Sequence, residues 1–197
     1  TWGSNHVRWL LPDFTLRLST DVPVRFIREA LPLVLAHRPH LVLGPDAPVN
    51  RSIPGYVEEA LGRTLDYWRE WVRYLSIPLD WQEAVIRSAI TLKLCQYEDS
   101  GAIIAAMTTS IPEAPDTPRN WDYRYCWLRD AAFVVRALNR LGATRSMEEF
   151  LRYIFNIATS DGSLQPLYGI NFEEQLHEYE VESLAGYRGM GPVRRGN

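Results

Sequence analysis

Gly44-Pro45-Asp46-Ala47-Pro48-Val49-Asn50-Arg51-Ser52-Ile53-Pro54 divides two kinds of patterning, and its reading decides the fold. Proline, glycine, aspartate, asparagine and serine at this density mark a turn-rich boundary. On its N-terminal side the apolar residues alternate. Phe14, Leu16 and Leu18 form one run, Val22, Val24 and Phe26 a second, Leu31, Leu33 and Leu35 a third, and Leu41 and Leu43 a fourth. Period-two runs broken by Pro12, Pro23, Pro32 and Pro39 predict short antiparallel strands with one wet face.

On the C-terminal side the period changes. Val57, Ala60, Leu61, Thr64, Leu65, Trp68, Trp71, Val72 and Leu75 recur at three- and four-residue steps, which places them on one stripe of a helix that Pro78 stops. A second helix is expected from Asp80, a plausible N-cap, to about Tyr97, with Trp81, Val85, Ala89 and Ile90 on one face. Gly101 to Met107 reads as a strand or buried extended segment, and Thr108 to Asn120, with Pro112, Pro115 and Pro118, as a loop. From Trp127 to Leu141 the residues Ala131, Val134, Val135, Leu138 and Leu141 mark a buried helix with Gly142 as its left-handed stop. Ser146 with Glu149 fits a capping box for a last helix, whose apolar face would run through Phe150, Leu151, Ile154, Phe155 and Ala158 to Asp161-Gly162.

Composition bounds the function. With 197 residues and 46% apolar content the chain can build one good-sized domain or parts of two, and no apolar stretch approaches the length needed to span a bilayer. The net charge of −3 comes from 24 acidic and 21 basic residues, interleaved, which leaves no electrostatic footprint for nucleic acid. Lys93 is the single lysine. Cys95 and Cys126, with His6, His37, His40 and His177, make no ligand spacing, so neither metal nor cofactor is expected. Two thiols in so long a chain favour a reducing, cytoplasmic location. Cys126 reads more readily as a buried space-filler than as a reactive thiol.

The chemistry concentrates in Asn120-Trp121-Asp122-Tyr123-Arg124-Tyr125-Cys126-Trp127-Leu128-Arg129-Asp130. An indole, a guanidinium fork and a carboxylate at a helix start suit a polyhydroxylated ligand: sugar C–H faces lie on aromatic rings, and adjacent hydroxyls match a bidentate arginine or aspartate. A second reading stands beside it, in which Trp127 is core and Arg129 and Asp130 form an ion pair favoured by the helix dipole. Trp121, Tyr123 and Tyr125 alternate with Asp122 and Arg124, so an extended backbone would put rings and charges on opposite sides. The acidic run Glu173, Glu174, Glu178, Glu180 and Glu182 is expected to be a solvated loop, because it singles out no carboxylate pair. Gly186-Tyr187-Arg188-Gly189-Met190-Gly191 lacks the strand and helix of a phosphate loop and reads as a tight turn presenting Tyr187 and Arg188.

Four ordered stretches carry a family resemblance: Gly101 to Glu113, Arg119 to Ala131, Asp161-Gly162-Ser163-Leu164-Gln165 with Tyr168-Gly169, and Gly186-Tyr187-Arg188-Gly189 with Pro192-Val193-Arg194. The chain resembles an internal piece of a bacterial glycoside hydrolase family 15 protein, of the glucoamylase and trehalase-like group. That likeness implies an α+β, multidomain fragment: the C-terminal part of a β-sandwich at residues 1–45, a linker at 46–55, a linker helix at 56–78, and the first helices of an α/α toroid at 79–197. It implies hydrolysis of α-glucosidic bonds from the non-reducing end, with inversion, of a starch-like glucan, another oligosaccharide or trehalose. Trp127, Arg129 and Asp130 inherit the terminal glucose, and Tyr187 and Arg188 line the same pocket. The general acid and base are expected beyond Asn197, so no catalytic residue is assigned here. Arg195 and Met107 depart from the family pattern. The alternative function is a non-catalytic carbohydrate-binding or assembly module. Uncovered apolar faces at Val134, Leu138 and Phe155 would drive self-association, and neither nucleic acid nor membrane is expected as a partner.

Overall fold

In a computed structural model of the chain, residues 5–34, 38–112, 114–117, 119–158 and 162–196 are described. Of the residues singled out above, Leu35, His37, Glu113, Pro118, Asp161 and Asn197 lie outside them. The chain forms two compact units, residues 1–70 and 71–197. No helix among the described residues is long and apolar enough to cross a membrane.

The first unit is built on an antiparallel sheet of three strands, β1 (His6–Leu10), β2 (Thr15–Thr20) and β3 (Leu41–Pro45), in that order. Val7 lies opposite Leu18, and both are buried, but the predicted alternation does not bury one face throughout: Phe14, Leu41 and Leu43 are exposed, whereas Ser19 and Thr20, side by side in β2, are buried. The sheet is a single layer of the described residues. The second run, Val22 to Phe26, is no strand: Val24–Arg28 is a short helix, α1, entered at Pro23, whose carbonyl accepts from the Phe26 N–H. Proline's fixed φ is suited to a helix entrance, and five residues are too few for period two to be told from period 3.6. Between β2 and β3 the Asp21 carboxylate accepts from the His40 N–H at 2.8 Å and meets the His40 ring at 2.6 Å. Those bonds hold the Asp21 carboxyl below the usual carboxylate range. Beyond the turn, α2 (Ile53–Arg73) is the long helix expected from the three- and four-residue spacing, ending two residues short of Leu75.

The second unit carries α3 (Gln82–Leu94), the two-residue strand β4 (Cys126–Trp127), α4 (Leu128–Arg140), α5 (Thr144–Ile157), β5 (Leu167–Tyr168), β6 (Tyr179–Val181) and β7 (Val193–Arg195). Here α3 starts later than expected: the residue before it is Trp81, in the left-handed region at φ 60°, and Asp80 makes no cap. Helix α4 ends as predicted. Gly142, at φ 83°, donates to Asn139 O at 3.0 Å, and the Ala143 N–H reaches Leu138 O at 3.1 Å, the paired bonds of a Schellman stop. Leu138 is fully buried, contrary to the expectation that it would be partly uncovered.

The predicted capping box is not formed. Helix α5 opens at Thr144, so Ser146 and Glu149 lie inside it on the buried face with Phe150, Tyr153 and Ile157. Leu151 and Phe155 fall off that face, and Phe155 is 79% exposed. Glu149 is spent on a buried polar network instead, accepting from Gln96 at 3.0 Å and from Arg145 at 2.7 Å. Gln96 in turn accepts from the buried Lys93 at 3.0 Å, and Lys93 pairs with Glu98 at 2.7 Å. Every buried charge here has a partner, as burial at this depth requires.

Packing in the second unit centres on Ala102, Ile103, Cys126, Ala131, Phe150, Tyr153, Ile157 and Tyr168. Tyr153 stacks between Phe150 and Phe172, with centroids 6.1 and 5.4 Å away, and its hydroxyl donates to Gly169 O at 2.8 Å. Within Gly101 to Met107 no strand forms: Ala102 and Ile103 are buried, Ile103 makes an isolated antiparallel bridge to Gln96, and Met107 is exposed. Gly101 lies so close to α5 that a Cβ there would sit 2.1 Å from Glu149 O. Only glycine permits that approach.

Candidate functional site

Residues 120–127 run as an extended segment laced to its neighbours on both sides. The Ser110 N–H donates to Trp121 O at 2.7 Å, and the Ala106 and Ala105 N–H groups donate to Tyr123 O and Tyr125 O, each at 3.0 Å. On the other side the Asp122 N–H donates to Arg194 O at 2.8 Å, and the Arg194 N–H to Asn120 O at 2.7 Å. Cys126 and Trp127 then pair with Tyr168 and Leu167. These bonds satisfy the segment's backbone and fix which side chains face outward.

The outcome differs from the simple alternation of rings and charges. Asp122 is buried, whereas Arg124 is exposed and folds back onto it through two bonds, Nε to Oδ1 at 2.9 Å and Nη2 to Oδ2 at 2.8 Å. Burial opposes ionisation of Asp122, yet the Arg124 hydrogen bonds and charge prevail and hold its carboxyl below the usual range. This pair braces the segment and offers no free group. Cys126 is fully buried and its thiol is pushed up by burial, which makes it the space-filler expected.

At the helix start three groups do point outward. Trp127 is half-buried, with the Tyr123 ring packed edge-on at 5.8 Å and 80°. The Arg129 side chain is 81% exposed and the Asp130 side chain 41%, with Nη2 3.4 Å from Oδ2. Asp130 sits in the first turn of α4, where the N-terminal dipole favours its charge. The ion pair anticipated in the structural reading is present, but it is long and exposed, so both groups remain available to a hydroxylated ligand.

Tyr187 and Arg188 lie in a single 3₁₀ turn, Tyr187–Gly189, with Arg188 in the left-handed region at φ 52° and its guanidinium 5.2 Å from the Tyr187 ring centre. What joins this turn to the Trp127 segment is Asn120, fully buried. With its amide oriented to suit both neighbours, Nδ2 donates to Ser110 O at 2.7 Å and Oδ1 accepts from the Tyr187 N–H at 3.0 Å. The sequence offers no local signal for this role, because its partners are 10 and 67 positions away.

All five glutamates of the acidic run are exposed, as expected of a solvated face, but the run is not a loop throughout. Tyr179–Val181 is strand β6, paired with β7, and Glu178 and Glu180 both bind Arg194, at 2.5 and 2.9 Å. Arg195, noted as a departure from the family pattern, lies over the Tyr125 and Tyr179 rings at 5.1 and 5.5 Å and donates to the Tyr179 hydroxyl at 2.6 Å. In the first unit a cavity of about 510 Å³ is bounded by Arg17, Ser19, Asn50, Arg51 and Tyr56 among others; none of the predicted site residues lines it.

Comparison with known proteins decides the family. A family model described as glycosyl hydrolases family 15 matches residues 80–197, the part that contains every residue of the candidate site. The chain belongs to this family. It is 40% identical over 197 residues to a trehalase of Mycolicibacterium smegmatis, a match covering 93% of this chain and 29% of the relative. A trehalase of Thermoplasma volcanium is 41% identical over 141 residues, 70% of this chain and 22% of the relative. One from Mycobacterium tuberculosis is 39% identical over 144 residues, covering 71% and 21%. The chain thus spans between about a fifth and under a third of the length of these relatives. No solved structure matches it.

Proposed function

We propose that this family 15 chain carries the glucose-gripping wall of a trehalase-type glycoside hydrolase. Trp127 supplies a ring surface, Arg129 and Asp130 take adjacent hydroxyls of the terminal glucose, and Tyr187 and Arg188 bound the same pocket. The bond broken is α-glucosidic, attacked from the non-reducing end with inversion, and trehalose is the disaccharide that the relatives' name points to. The single observation that carries the reading is the outward-facing Arg129 and Asp130 beside Trp127 within the family-matched residues.

Inversion requires two carboxylates roughly 6.5–9.5 Å apart, one to protonate the leaving oxygen and one to activate water. In the C-terminal acidic run Glu178 and Glu180 pair with Arg194, and Glu173 accepts from the Asn171 N–H at 2.9 Å. Following what the family resemblance implies, the reading assigns the general acid and base to residues beyond Asn197. It takes residues 1–45 as the last part of a β-sandwich, 46–55 and 56–78 as linker and linker helix, and 79–197 as the opening of a toroid.

The test is a titration of the 197-residue chain with trehalose, followed by tryptophan fluorescence and calorimetry. Binding without glucose release is expected, and Trp127→Ala should abolish it. A chain whose fluorescence and heat respond to neither trehalose nor maltose would refute the assignment.

A further inference from the structure

We propose that Asn120 is a positioning residue for sugar binding, which holds the Tyr187–Arg188 turn in the shape that meets the glucose; this rests on the functional reading above. Its carboxamide is buried and bonded at both ends to backbone, Nδ2 to Ser110 O at 2.7 Å and Oδ1 to the Tyr187 N–H at 3.0 Å. Its own carbonyl accepts from Arg194. One residue thus ties together the loop before the site segment and the turn after it through its side chain, and strand β7 through its main chain.

Two features of the turn depend on that anchor. Gly186, at φ 80°, approaches so closely that a Cβ would sit 2.2 Å from the Asn120 amide and 2.3 Å from Gly191 O, so no other residue allows the bond to Tyr187. Arg188, two residues on, holds φ 52° and ψ 32°, a conformation that costs an ordinary residue energy and persists only where its surroundings enforce it. The enforcement comes from fixed ends: the Tyr187 N–H is held by Asn120, and the Gly189 and Met190 N–H groups return to Gly186 O at 3.3 Å and Tyr187 O at 3.0 Å. Without the first of these, Arg188 relaxes to the right-handed region and its guanidinium leaves the Tyr187 ring. At neutral pH no other side-chain type supplies both bonds. An ionised aspartate has no donor for Ser110 O, and glutamine is longer by a methylene.

The experiment compares the 197-residue chain with its Asn120→Ala, Asn120→Asp and Gly186→Ala variants in trehalose titrations at several pH values, with urea unfolding alongside. Asn120→Ala and Gly186→Ala should weaken binding about tenfold, the change that accompanies loss of one buried hydrogen bond. Asn120→Asp carries the sharper test. Its buried carboxyl, when protonated, can donate to Ser110 O and accept from Tyr187, so affinity should be near normal in mild acid and fall about tenfold as the carboxyl ionises, while the unmodified chain lacks that step. A residue that only stabilised the fold would change the unfolding midpoint without this pH-dependent affinity. If the unmodified chain binds and all three variants bind within twofold of it at every pH, the positioning role is wrong although the functional reading survives. If the unmodified chain does not bind, both fall together.

Discussion

Gly101→Ala should be among the most damaging small substitutions in the second unit, and the reason is geometric. The added Cβ would lie 2.1 Å from Glu149 O and 2.6 Å from its carbonyl carbon, backbone atoms of α5 that have no soft side chain to yield. Overpacking of this kind costs about 1 to 3 kcal/mol. Gly101 also stands at φ 88°, where alanine adds about 1 to 3 kcal/mol of backbone strain. Gly162→Ala is the control, because it shares the positive φ, 74°, but no atom of the described residues lies within 4 Å of its Cβ. In urea, with a slope of about 2 kcal/mol per molar, Gly101→Ala should lower the midpoint by about 1 to 3 M and Gly162→Ala by about half as much. The loss reaches the site as well, since residues 105 and 106, just beyond this contact, donate to Tyr125 O and Tyr123 O. Equal midpoints for the two variants would refute the claim that close helix approach, and not φ alone, holds this glycine.

Leu138→Ala, at a fully buried position of α4, should cost about 2 to 5 kcal/mol, read from the same urea curves. Phe133 and Phe155 are 65% and 79% exposed, so Phe133→Ser with Phe155→Ser should leave the fold intact and shift light scattering toward monomer; an unchanged size distribution would count against these rings as the adhesive surface. Asp122 sets an acid limit. Its folded carboxyl titrates below its unfolded value, so its contribution is fully present above about pH 4 and is lost as pH falls through the folded value. Urea midpoints between about pH 5 and pH 2 should therefore fall less steeply for Asp122→Asn than for the unmodified chain.

Where one element supplies its own signal, the sequence was readable. Helix α4 carries a clear stripe and its glycine stop, and the start of α2 near residue 53 follows from a change of period that holds over many residues, although the two compact units divide within that helix, at residue 70. Failures fall where a few residues must decide. Val24–Arg28 is too short for its period to be defined, and a serine three before a glutamate mimicked a cap although the helix had begun two residues earlier. Sites made by distant partners were also illegible. Glu149 meets Gln96 across 53 positions, Arg194 gathers Glu178 and Glu180 across a strand pair, and Asn120 reaches Tyr187. Trp127, Arg129 and Asp130 were visible because they are adjacent in the chain; their exposure was not.

The enclosure of Lys93 gives this chain an unusual chemical quietness. As the single lysine, held between Glu98 and Gln96, it leaves the folded second unit without an accessible ε-amine, so acylating reagents meet one only when the α3–α5 junction opens. Peptide mapping after timed exposure to an activated ester would then act as a clock for that opening, with no label or probe to be engineered in.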